Sequence, residues 1–89
     1  MEIKIDKSFQ KDTSRIKDKS VLQRIANTIA NVQRAKSLGE LKNLKKIQGT
    51  QLMYRIRIGD YRLGIIVSDS TGEFIRCLHR KDIYKYFPK

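Results

Sequence analysis

The chain opens on an alternation. Met1, Ile3 and Ile5 are apolar and Glu2 and Lys4 between them are charged, the period-two pattern of a short strand with one buried face. Asp6 or Ser8 then offers a helix N-cap for a segment that carries Phe9 and Ile16 inward. A second helix is more sharply marked. Ser20 followed three residues later by Gln23 has the capping-box spacing, and Leu22, Ile25, Ile29 and Val32 recur at steps of three and four to form one apolar stripe. Gly39 is a suitable stop for it. Joined near Asp18 and Lys19, the two helices are expected to form an antiparallel hairpin.

Residues 41–50 (LKNLKKIQGT) read as a basic connector pinned to the body by Leu41, Leu44 and Ile47. Three strands follow, at Gln51–Ile58, Tyr61–Val67 and Glu73–His79, with a tight turn at Gly59-Asp60 and another across Ser68–Gly72. The tail from Arg80 is expected to form a turn of helix. These elements predict one α+β domain over residues 1–89 in the order β-α-α-β-β-β, a helical hairpin packed on a mainly antiparallel four-stranded sheet. A second core does not fit in so short a chain.

The hairpin around Gly59-Asp60 places side chains on opposite faces. A two-residue loop sets Ile58 against Tyr61, Ile56 against Leu63, Tyr54 against Ile65 and Leu52 against Val67, all apolar or aromatic, so that face belongs on the helices. The other face then holds Met53, Arg55 and Arg57 on one strand and Arg62, Gly64 and Ile66 on the next, with Arg57 directly across from Arg62. Like charges so placed destabilise a sheet by roughly 0.2–1 kcal/mol. Three guanidiniums beside a glycine that leaves room above the sheet point to an anion site, since the arginine fork matches phosphate. The plainer reading is a solvated face of a basic protein.

Composition sharpens this. Twenty Lys and Arg against nine Asp and Glu give a formal net charge of +11, the footprint of a nucleic-acid binder. Total charge does not locate a site, but from Leu41 to Gly59 there are five basic residues and no acidic one, Lys45 and Lys46 among them. No apolar run is long enough to span a bilayer. The start, MEIKIDKSF, lacks the plan of a signal peptide, and a single cysteine fits a reducing compartment, so a cytoplasmic location is expected. Cys77 itself reads as a small buried hydrophobe rather than a nucleophile. His79 and Cys77 lack partners at ligand spacing, so no metal site is expected.

The last strand runs into HRKDIYKYF (His79 to Phe87), in which Phe87 reads as a core cap. The segment YRIRIGDYRLGI (Tyr54 to Ile65) followed by HRKDIY (His79 to Tyr84), behind a β-α-α unit, resembles RelE-type toxins of type II toxin–antitoxin pairs. The resemblance covers nearly the whole chain. It implies ribosome-dependent cleavage of mRNA in the ribosomal A site, with the RNA's own 2′-hydroxyl as nucleophile and no cofactor. It also implies an acidic, inhibitory, RelB-like cognate antitoxin, with operator DNA reached only through that antitoxin, and no membrane partner.

By the same resemblance Arg62 contacts the scissile phosphate, Arg80 stabilises the transition state, and Tyr84, or else Tyr86, is the C-terminal aromatic that stacks a base or assists proton transfer. Arg55 and Arg57 stand where familiar members carry lysines. Arginine stays protonated, so these two are cast as phosphate-binding stabilisers. Proton transfer then falls to His79, whose reference pKa of about 6.5 suits it, with Lys81 as a reserve. The alternative for His79 is a hydrogen bond that holds Arg80 in place. Two other functions compete: a ParE-like inhibitor of DNA gyrase without nuclease activity, and a basic RNA-binding module without chemistry.

Overall fold

Both long helices begin at a carboxylate. In the computed structural model, which describes residues 1–88, Asp6 caps helix α1 (Lys7–Ser14) by accepting the Ser8 N–H at 2.9 Å. Asp18 caps α2 (Lys19–Arg34), accepting from the N–H groups of Ser20 and Val21 and from the Ser20 hydroxyl. The expected capping box at Ser20 and Gln23 is therefore not formed. Asp18 adds a negative charge to the positive end of the helix, which a serine does not, and Gln23 instead donates to Asn27. The expected stop at Gly39 also falls too late. Ala35 is buried with extended backbone, and the Met1 amino group donates to the carbonyls of Gln33 and Ala35 just where the helix leaves them unpaired. Gly39 lies within a separate 3-10 turn, Leu38–Glu40.

The strands are β1 (Glu2–Ile5), β2 (Leu44–Lys46), β3 (Met53–Ile58), β4 (Tyr61–Ser68) and β5 (Thr71–His79), and a short helix α3 (Ile83–Tyr86) follows. They form one sheet in the order β1-β5-β4-β3-β2, antiparallel except where β1 runs parallel to β5. The α+β plan stands as expected, but the sheet has five strands rather than four. The additional one is cut from the basic connector. Leu44 pairs with Ile56, Lys45 with Arg55 and Lys46 with Tyr54, so three residues of alternation suffice to cover the outer edge of β3. Two lysines on that strand also discourage a further strand from adding there.

The helices cover one face of the sheet. Phe9, Ile16, Ile25 and Val32 meet Ile56, Ile58, Leu63, Ile65, Val67, Phe74 and Cys77 in one buried cluster, with Leu22, Ile29, Leu41 and Leu44 packed at its margin. Phe9 and Phe74 stand edge to face with ring centroids 5.5 Å apart. The β3–β4 register is the one the alternation demands: Ile58 against Tyr61, Ile56 against Leu63, Tyr54 against Ile65. Leu52 departs from it. Its carbonyl accepts from Val67, yet it precedes β3 and is exposed rather than turned into the core.

Asp12 is the buried charge of the molecule among the described residues. It lies three residues after Phe9 and four before Ile16, on the inward face of α1. Beyond Phe74, β1 no longer flanks β5, and α1 takes its place. There the Asp12 carboxylate accepts the Cys77 N–H at 2.9 Å and a forked pair from Arg76 at 2.8 and 3.1 Å. A buried carboxylate is tolerable only when so paired. Asp12→Ala should leave an unpaired strand N–H and a half-buried guanidinium, lowering stability by about 2–4 kcal/mol. Urea unfolding of the two proteins measures this, and a loss under about 1 kcal/mol would refute the clamp.

Candidate functional site

The face of the sheet turned away from the helices carries the arginines. Arg57 pairs with Arg62 across β3 and β4, Arg55 with Gly64, and Lys45 of β2 stands across from Arg55. All four cations share one face because each sits on the parity that the apolar residues leave vacant. Gly59 turns the hairpin with φ +56°, a conformation glycine adopts without strain. Arg62 is tied back to that turn: its Nη1 donates to the carbonyls of Gly59 at 2.8 Å and Tyr61 at 2.9 Å. Its remaining donors, on Nε and Nη2, are left for an anion.

The tail supplies the other wall. Tyr84 of α3 lies with its ring 4.5 Å from the Arg55 guanidinium carbon, and it is 71% exposed. Asn43, Leu44, Lys45, Arg55, Arg57, Arg62 and Tyr84 together line a shallow cleft of about 360 Å³, and none of these residues is acidic. Arg55, through its hydrogen-bonding contact with the phenol, holds Tyr84 below the usual tyrosine range, and the charges of Arg55, Arg62 and Lys45 act in the same direction. Unneutralised guanidiniums around a phenol of lowered pKa can bind a phosphodiester and accept a proton beside it. A larger groove, between α2 and the connector, shares only Asn43 and Arg57 with this cleft and includes the acid Glu40.

The sequence candidates divide accordingly. Arg55, Arg57, Arg62, Lys45 and Tyr84 come together, and Lys46 lies in the adjoining groove with Lys45, Arg55 and Tyr84. Tyr86 does not join them; its ring lies 5.4 Å from the guanidinium of Arg76. His79 pairs with Tyr61, on the parity of Leu63 and Cys77, and so faces the helix side of the sheet. Its ring stands edge-on to Tyr61, and its Nδ1 accepts the Lys81 N–H at 3.2 Å. Arg80 follows with its N–H bound to the Asp60 carbonyl at 2.7 Å, which places its backbone at the hairpin end beside Arg62. The side chains of Arg80 and Lys81 are exposed and line none of the cleft described here.

Gly64 differs from expectation. It leaves no open room, because the Phe87 ring fills the space: a Cβ on Gly64 would lie 2.6 Å from ring carbons. A β-bulge also begins here, since Gly64 pairs with Arg76 but Ile65 with Phe74. Phe87 is buried, yet outside the cluster between helices and sheet. Asn43 went unremarked in the sequence. It adopts φ 61° and accepts the Arg57 N–H through its carbonyl, and its signal was only that asparagine tolerates the left-handed region.

The profile of the family described as "ParE toxin of type II toxin-antitoxin system, parDE" matches residues 3–84. The chain is 44% identical, over 89 residues and all of the relative's length, to Toxin RelE3 of Methanocaldococcus jannaschii. This chain is a RelE-type toxin of the ParE toxin family. Its fold is similar to that of the toxin in the RelB-RelE antitoxin-toxin complex from Methanococcus jannaschii, with a TM-score of 0.81 and 43% identity over 96% of this chain and 99% of that one. The YoeB dimer of Staphylococcus aureus shares the fold at 18% identity, with a TM-score of 0.73 over 89% of this chain and 95% of the other. Among the described residues no helix is long and apolar enough to cross a membrane, and no group of three or more His, Cys, Asp or Glu is placed to hold a metal ion.

Cys77 is not available as a nucleophile in this toxin. Burial, and after it the Asp12 charge, pushes its thiol up to about 12. The native toxin should therefore remain unlabelled by a thiol-exchange reagent at pH 8 and react stoichiometrically in urea. Rapid labelling of the folded chain would contradict this burial.

Proposed function

We propose that this RelE-type toxin cleaves mRNA on the ribosome, with the arginine cleft as its active site. The cleft supports the reading because it gathers four cations and a phenol with no acid among them. In this mechanism Arg62, Arg55 and Arg57 grip the scissile phosphate, and the Tyr84 phenolate takes the proton of the adjacent 2′-hydroxyl. The 2′ oxygen attacks phosphorus, the bond to the 5′ oxygen breaks, and the Lys45 ammonium protonates that leaving oxygen. A 2′,3′-cyclic phosphate and a 5′-hydroxyl result. Arg80, brought beside Arg62 by the Asp60 hydrogen bond, adds its charge once RNA is bound. Lys46 and Lys81 hold flanking phosphates, and Tyr86 serves the tail rather than the substrate.

The base is thereby moved from His79 to Tyr84. An imidazole whose Nδ1 accepts a backbone N–H carries its own proton on Nε2, and so has no lone pair free for the substrate. His79 becomes the residue that steadies the turn leading to Arg80. The partner is a cognate antitoxin, for which the RelB-bound relative is the precedent, and its acidic segments would answer the +11 charge. The toxin works in the cytoplasm, where its mRNA is. The family profile carries the ParE name, and a ParE-type action on DNA gyrase is the second reading.

Induction in a bacterial host should produce new 5′-hydroxyl RNA ends within translated frames. Arg62→Ala and Arg80→Ala should each reduce them about 10²–10³-fold, as expected for lost charge stabilisation. Growth arrest without new ends would transfer the assignment to gyrase; no arrest would leave a basic RNA binder. The pH dependence is a separate test. A base acts when deprotonated, so cleavage rises with pH through the Tyr84 titration, which lies below the ordinary tyrosine value of about 10. Single-turnover cleavage across pH should show this limb move upward in Arg55→Ala and disappear in Tyr84→Phe.

A further inference from the structure

We infer that Phe87, seated on Gly64, is the positioning residue that holds Tyr84 over Arg55. The inference rests on the reading of the arginine cleft as the RNA site. Tyr84 has little of its own to keep it there, being largely exposed on a helix of four residues. A helix that short is not stable by itself. It is fixed by what flanks it. Ile83 just before is fully buried, Phe87 three residues on is 3% exposed, and the Phe87 N–H closes the turn on the Ile83 carbonyl at 2.8 Å.

The seat of Phe87 is specific. Gly64 is the register partner of Arg55, and the ring occupies the space where any side chain at position 64 would stand. Its Cγ and Cδ2 lie 2.6 Å from an ideal Cβ there, so even alanine must lift the ring. Phe87 is the extended residue that ends α3, tied by its N–H to the first turn of that helix, so a ring docked beside Arg55 keeps Tyr84, three residues back, over the same strand pair. The observed contact of Tyr84 with the Arg55 guanidinium is the product of that docking. Phe87 also borders the groove shared by Lys45, Lys46, Arg55 and Tyr84, so displacing it would open the wall of the site as well as free the phenol.

The test reads Tyr84 directly in the full-length toxin. The ultraviolet phenolate titration of each variant, less that of the same variant carrying Tyr84→Phe, isolates Tyr84 from the other tyrosines. In Phe87→Ala and in Gly64→Ala the Tyr84 titration should move up towards that of an ordinary tyrosine, with the circular dichroism of the fold retained. Phe87→Leu, still apolar and able to dock, should recover most of the wild-type value. RNA cleavage should fall roughly a hundredfold in the two alanine variants, as misplacement of about 1 Å does, with kcat carrying the loss rather than KM. A Tyr84 titration unchanged in both alanine variants would overturn the proposal. Should Gly64→Ala fail to fold, Phe87→Ala, which removes only the docked ring, decides alone. A shifted titration in a wild-type background that cleaves no RNA would uphold the positioning and remove the RNA reading.

Discussion

The register of the β3–β4 hairpin is the constraint from which the rest of the molecule follows. Ile56, Ile58, Leu63 and Ile65 reach the core together only if Gly59 and Asp60 alone form the loop. A slip of one residue would turn one strand over against the other, carrying either Arg55 and Arg57 or Arg62 onto the helices and burying unpaired guanidiniums, at a cost far above any gain elsewhere. The same register that builds the core therefore concentrates positive charge on the opposite face. The cross-strand repulsion between Arg57 and Arg62 is tolerated because it is small beside the burial it accompanies.

The two faces are joined around one free edge. Where β1 ends, β5 exposes its N–H groups, and Asp12 of α1 accepts the one from Cys77. Arg76, projecting from the arginine side, reaches round that edge to the same carboxylate and carries Tyr86 against it. The ion pair thereby ties α1 to the strand residue on which the C-terminal Tyr86 ring rests. With Phe87 seated on Gly64 as well, the tail can place Tyr84 on the cleft without a long helix of its own.

Electrostatically the cleft is unusual for what it lacks. Asp12 is spent on Arg76, and Glu40 accepts backbone N–H groups near its own turn, so neither acid moderates the four cations around Tyr84. A site of this kind suits an anionic chain. In the proposed cleavage reaction, arginines standing where familiar RelE-type toxins carry lysines move the burden of proton transfer onto other groups. A phenol among guanidiniums suits that task better than an imidazole committed to a backbone N–H.

The α+β class, both helices, the three long strands and the shared face of Arg55, Arg57 and Arg62 were all legible in the chain, because each follows from local periodicity and a two-residue turn. The family was legible as well, in the pairing of YRIRIGDYR with HRKDIY. Three things were not. Strand β2 has too short an alternation to register, and exists because β3 needs a partner at its edge. Asp12 sat on the inward face of α1 in plain view, but its partners lie 64 and 65 residues away. Gly64 seemed to leave space, whereas a ring from the tail fills it. Periodicity along the chain determined which residues face the core and which face solvent. Only the tertiary structure decided which distant residues meet, because those contacts depend on how the edges of the sheet are closed, and no local pattern encodes that.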